Sequence, residues 1–124
     1  IGIDANSIVR DEAALRAKVL EIHQKIKDDA LVEDYIEGRE FFVSILGNNT
    51  IKAFPIVELD FSSWPKDKPK IYTHEAKVEV NSPEYKAIKN KIASDLSPEL
   101  QTKMQDIVTK AFRALRGEDY ARAD

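Results

Sequence analysis

"VEDYIEGREFFVSILGNNTIKAFPIVELDF", residues 32–61, decides the fold. Three runs rich in β-branched and aromatic residues are separated by two breaks that carry glycine. The first run, Ala30 to Ile36, reads as a strand on that content. Glu37-Gly38 makes a short turn, and Arg39 to Leu46 forms a second strand. Gly47-Asn48-Asn49 is a hairpin signal, and Ile51 to Phe61 returns as a third strand. Pro55 has no N–H to give to a ladder, so the third strand is expected at an edge or locally bulged. Residues 30–61 are thus predicted to form an antiparallel meander.

Outward from the meander, helices take over. Asp11 is an N-cap for a helix from Glu12 to Ile26, with Leu15, Val19, Ile22 and Ile26 on one stripe. Ser62 to Lys70 reads as a polar loop around Trp64, and Tyr72 to Lys77 ("YTHEAK") as extended chain. Ser82-Pro83 opens a short helix to about Ala93. Ser97-Pro98 repeats that signal for a long helix whose stripe runs from Leu100 to Leu115 and stops at Gly117. Tyr120 to Asp124 is a closing strand. Helices and antiparallel strands in this order give an α+β class.

With 124 residues the chain holds one domain at most. A net charge of −3 and basic residues interleaved with acidic ones exclude a nucleic-acid footprint and read as solvated faces. There is no cysteine, hence no disulfide and no thiolate metal site. No apolar run approaches the roughly 20 residues that span a bilayer, so no membrane partner is expected. The chain starts at Ile1 rather than methionine, which reads as a processed product or a piece.

A few residues could carry chemistry. Glu33 and Tyr35 share one face of the first strand, with Glu40 just across the turn. They read either as an exposed acidic strand end or as a hinge whose backbone matches a purine edge, with a carboxylate for a ribose diol. Lys77 is either a surface lysine or a point charge for a phosphate. His23 and His74 lack a second histidine at ligand spacing, which argues against zinc. Arg122 and Asp124, two apart on the last strand, are either an exposed ion pair or a magnesium ligand beside a charge-stabilising arginine.

In this order, "IGIDANSIV", "VEDYIEGREFFVSILGN", "HEAK" and "GEDYARAD" resemble the ATP-grasp superfamily, and within it the D-alanine–D-alanine ligase branch. The resemblance implies an antiparallel meander packed with helices and an incomplete second sheet. On it, residues 1–124 are a partial ATP-grasp domain: 30–61 hold the adenine-hinge strand, and 82–124 the helices and the start of a metal-site strand. It also implies site roles. Glu33 meets the adenine amino group, and the backbone of Asp34, Tyr35 and Ile36 meets the ring edge. Glu40 holds the ribose, Lys77 a phosphate, Arg122 the acyl phosphate and Asp124 a Mg²⁺.

The implied cofactors are ATP and Mg²⁺, and the implied partners are a small carboxylate and an amine. The implied location is cytoplasmic, and a homodimer stays open. Val78 stands where D-alanine–D-alanine ligases carry a tyrosine, so the substrate stays open as well. The family's lysine-bearing strand and the strand with its glutamate and asparagine fall outside the chain. The expected function is therefore a fragment of an ATP-dependent carboxylate–amine ligase, inactive when isolated. The alternatives are a nucleotide-binding or structural module without turnover, or an ATP-grasp ligase for another substrate.

Overall fold

A computed structural model of the chain describes residues 3–124. Its elements follow as α1 (Glu12–Lys25), β1 (Glu40–Leu46), β2 (Lys52–Ala53), β3 (Val57–Asp60), α2 (His74–Val78), α3 (Pro83–Ala87), β4 (Lys89–Ile92), α4 (Pro98–Ala114) and β5 (Tyr120–Ala123). They fall into two compact units. Residues 3–38 and 61–88 make the first, and residues 39–60 and 89–124 make the second.

The second unit is an antiparallel sheet with β1 at its centre. β5 runs along one side of β1, pairing Ser44 with Arg122 and Leu46 with Tyr120. β3 runs along the other, pairing Glu40 with Leu59 and Phe42 with Val57, and β4 extends the sheet beyond β3. β2 continues the β3 side of β1, pairing Ile45 with Ala53. The predicted third strand is thus two pieces. Between the pairs Ile45–Ala53 and Phe42–Val57, three residues, Phe54 to Ile56, face two, Val43 and Ser44. That surplus residue is a β-bulge, and it sits at the proline. It also reverses the facing of the strand. Ala53 and Ile56, an odd number of residues apart, both reach the core of Val43, Ile56, Ala93 and Leu96 that Met104 and Val108 of α4 help to cover.

Two glycines are required by their positions. Gly47 closes the β1–β2 hairpin at φ +124°, and a Cβ there would lie 2.0 Å from the Thr50 carbonyl oxygen. Gly117 ends α4, although the left-handed residue is Arg116, at φ 52°. Gly117 N–H donates to the Phe112 carbonyl and Arg116 N–H to the Arg113 carbonyl, both bonds of a Schellman motif. Gly117 then presses on the buried Phe112 ring.

The first unit departs most from the sequence reading. Ala30–Ile36 is not a strand: its residues pair with no ladder among the described residues, and Leu31 to Arg39 are all exposed. β-Propensity expresses fit to a half-buried pleated surface, and nothing described here offers that surface. Tyr72–Lys77 is not extended either. Thr73 Oγ1 accepts from the Ala76 amide and caps α2, so the chain turns helical from His74. The predicted helix over 83–93 ends at Ala87, and its second half is β4, where Lys91 pairs across from Glu58. The expected polar loop is folded round Trp64, which packs edge-on to Phe61 at 5.4 Å and donates its indole N–H to the Pro69 carbonyl. α1 matches its predicted span to one residue at its end, with Asp11 capping Ala14, yet buries none of its side chains fully.

Two substitutions probe the end of α4. Arg116→Gly relieves a left-handed L-residue and should raise stability by roughly 0.5–1 kcal/mol. Gly117→Ala must displace the Phe112 ring and should lower the melting temperature. Thermal unfolding of the chain reads both, and equal midpoints for the three proteins would contradict the capping assignment.

Candidate functional site

The first unit carries the predicted hinge residues and Lys77. Glu33, Asp34, Tyr35 and Ile36 lie on the exposed stretch before Gly38, and Ile36 is 86% exposed. Among the described residues, no backbone amide or carbonyl of this stretch bonds to another backbone group. Those donors and acceptors are free for water or a ligand. Tyr35 is tied by its phenol, which donates to the Lys70 carbonyl at 3.3 Å. Lys77, in the last turn of α2, holds its ammonium 4.8 Å from the centre of the Tyr72 ring and makes no ion pair among the described residues. A cation over an aromatic face keeps its charge available.

The second unit carries Glu40, Arg122 and Asp124, and the ladder decides their facing. Glu40, Phe42 and Ser44 alternate onto one face of β1. Arg122 is the cross-strand partner of Ser44, so it joins that face, and Asp124 follows two residues on. The geometry agrees: the Arg122 guanidinium lies 4.6 Å from the centre of the Phe42 ring. Arg122 and Asp124 meet as a fork, with Nε to Oδ1 at 2.8 Å and the second N–H to Oδ2 at 3.1 Å. Both side chains are about half exposed, so this pair adds little stability. Asp124 offers one carboxylate oxygen set, a donor type that suits Mg²⁺ when phosphate oxygens supply the remainder. No group of three His, Asp or Glu converges for a metal among the described residues.

The sequence reading missed Glu58. It is buried on the opposite face of the sheet, and Arg39 reaches it with two hydrogen bonds of 2.7 and 2.6 Å. Arg39 also bonds Asp95 at 2.8 Å and lies over the Phe41 ring, while Lys91 stands 3.5 Å from Glu58. The paired bonds from Arg39 hold the Glu58 carboxyl below its ordinary value, against burial, which pushes it up. The only hint in the sequence was a charged residue, Glu58, alternating with apolar Val57 and Leu59 in a strand.

No helix among the described residues is long and apolar enough to cross a membrane. The family described as D-ala D-ala ligase C-terminus matches residues 1–124. A protein of Sinorhizobium fredii (strain NBRC 101917 / NGR234), "Uncharacterized protein y4sG", is 37% identical over 117 residues, which cover 94% of this chain and 33% of that protein. A "D-alanine--D-alanine ligase" of Carboxydothermus hydrogenoformans (strain ATCC BAA-161 / DSM 6008 / Z-2901) is 33% identical over 107 residues, 86% of this chain and 30% of its own length. One of Desulfotalea psychrophila (strain LSv54 / DSM 12343) is 33% identical over 94 residues, 76% of this chain and 26% of its own. The chain thus spans about a third or less of the length of these relatives.

The Glu58 cluster makes stability depend on pH in a definite direction. Its folded carboxyl titrates below the ordinary value of 4.5, so its contribution is complete above that pH and is lost as pH falls through the lower folded value. Glu58→Gln should cost roughly 1–3 kcal/mol at neutral pH. It should also flatten the loss of stability as pH falls below 4.5. Urea midpoints across that range, for the two proteins, check both effects.

Proposed function

The chain belongs to the D-ala D-ala ligase C-terminus family, and from that premise we propose that it supplies nucleotide-handling parts of an ATP-dependent carboxylate–amine ligase. One observation carries the reading: Glu40, Arg122 and Asp124 share a face of one sheet, set there by the ladder between β1 and β5. A ribose-binding carboxylate, a charge-stabilising arginine and a metal-binding carboxylate are what phosphoryl transfer from ATP asks of such a face.

In the first unit, Glu33 accepts from the adenine amino group, and the unpaired backbone of Asp34 to Ile36 meets the donor and acceptor of the ring edge. Lys77 gives its charge to a phosphate. In the second unit, Glu40 accepts from the ribose hydroxyls, and Arg122 turns its fork from Asp124 toward the charge that develops on the transferred phosphoryl group. Asp124, released from that fork, is the carboxylate that holds Mg²⁺, an ion that neutralises phosphate charge when bound. The substrate carboxylate attacks the γ-phosphorus and ADP leaves. The amine then attacks the acyl carbon, loses a proton and expels inorganic phosphate. D-Alanine is the first substrate class to test, because two of the relatives above carry that ligase name. The reading also carries a cytoplasmic location and small-molecule partners.

A module without turnover is the second reading, favoured by the fork that Arg122 closes on Asp124, which occupies the carboxylate assigned to Mg²⁺. Phosphate release from ATP separates the two. In the complete protein that carries this chain, D-alanine should stimulate release. Asp124→Asn and Arg122→Ala should each lower kcat roughly 100-fold or more while far-ultraviolet circular dichroism stays unchanged. Release driven only by another amino acid would move the substrate, and no stimulated release at all would leave the module.

A further inference from the structure

Arg39 occupies a peculiar place. It is the first residue of the second unit, directly after Gly38, where nothing lies within 4 Å of a Cβ position, and directly before Glu40. The eight residues from Leu31 to Gly38 are exposed and outside any ladder. Arg39 is the opposite. Its guanidinium is held by a buried Glu58 through two bonds, by Asp95 through a third, and by the Phe41 ring 5.0 Å from its centre. Glu58 sits on β3 and Asp95 in the turn ahead of α4, so the cluster ties the residue just before β1 to both.

Alternation gives this anchoring a consequence for the neighbour. Arg39, Phe41 and Glu58 lie on one face, since Phe41 and Glu58 are a cross-strand pair. With residues 39 and 41 both fixed there, the Cβ of Glu40 must project from the other face, toward the side of Phe42, Ser44 and Arg122. A slip of one residue would send Glu40 to the wrong side. At that end β1 is paired on one side only: β3 pairs with Glu40, Phe41 and Phe42, while the pairs with β5 begin at Val43. The side-chain anchor supplies what the short ladder end lacks.

We propose that Arg39, Glu58 and Asp95 form a positioning cluster that fixes Glu40 on the face where it receives a ribose diol. The proposal rests on the reading of Glu40 given above, and it assigns to residues that touch no ligand a measurable role in ribose recognition. The discrimination falls on sugar hydroxyls and not on phosphate or base, because only Glu40 is displaced when the cluster is broken.

The test uses the complete protein and compares the dissociation constants of ADP and 2′,3′-dideoxy-ADP by calorimetry. Wild type should prefer ADP by roughly tenfold or more, the effect of losing hydrogen bonds to a charged group. Glu40→Gln should bring that ratio near unity. Arg39→Met and Glu58→Gln should do the same while binding dideoxy-ADP as wild type does. Should either variant fail to fold, Arg39→Lys decides, because it keeps the charge and loses the fork; its ratio should fall between wild type and Glu40→Gln. A wild-type ratio in the cluster variants, or an equal loss of affinity for both nucleotides, overturns the positioning role. No preference in wild type, or an unchanged ratio in Glu40→Gln, overturns the ribose reading itself and the proposal with it.

Discussion

The antiparallel ladder that β1 makes on both of its sides is the constraint on which the second unit depends. A strand has one free variable once it is paired, its register, and every side chain follows from it. β5 on one side and β3 on the other both read that register, so Phe41, Val43 and Ile45 turn toward α4 while Glu40, Phe42 and Ser44 turn away. The apolar half of this arrangement makes the core, with Val43 at 2% and Ile45 at 1% exposure. The other face buries Phe42 and Leu59 and carries the candidate site at its polar positions. Folding and chemistry are therefore two faces of the same pleat, and burial on one side holds the geometry of the other.

Where the sequence was legible, a local group dictated the outcome. Asp11, Ser82 and Ser97 each accept from an amide three residues on, as their positions before a helix demand. Gly47 turns the hairpin because no Cβ fits there. Pro55 marks the interruption of the third strand, since it has no amide to pair. Where the reading failed, the deciding group was distant or too brief to register. β4 reads as helix until Glu58 and Asp60 of β3 are known to stand beside Lys91. α2 is five residues long, and a single threonine cap started it. Ala30–Ile36 has the composition of a strand and no partner for its ladder among the described residues.

The candidate site divides along the same line. Glu40, Arg122 and Asp124 could be named from order and resemblance, because each lies in a segment with its own signature. Their common face rests on pairing between residues about eighty positions apart, which no local pattern encodes. Glu58 was invisible for a related reason: a carboxylate in a strand reads as solvent-facing, and only the fork of Arg39, nineteen residues earlier, accounts for its burial.

The bulge at Phe54–Ile56 sets a rule on how this stretch can change in length. Ala53 and Ile56 reach one core only because one surplus residue separates the two halves of the strand. Removing that one residue at Phe54 or Pro55 leaves two residues opposite Val43 and Ser44, an uninterrupted ladder in which Val57 still pairs with Phe42, Ile56 stands opposite Val43 and every facing in β3 is kept. Removing two leaves one residue opposite two and moves the mismatch onto β1. Length drift in this segment is therefore not graded by size: losing one residue straightens the strand, and losing two forces a new distortion into its partner.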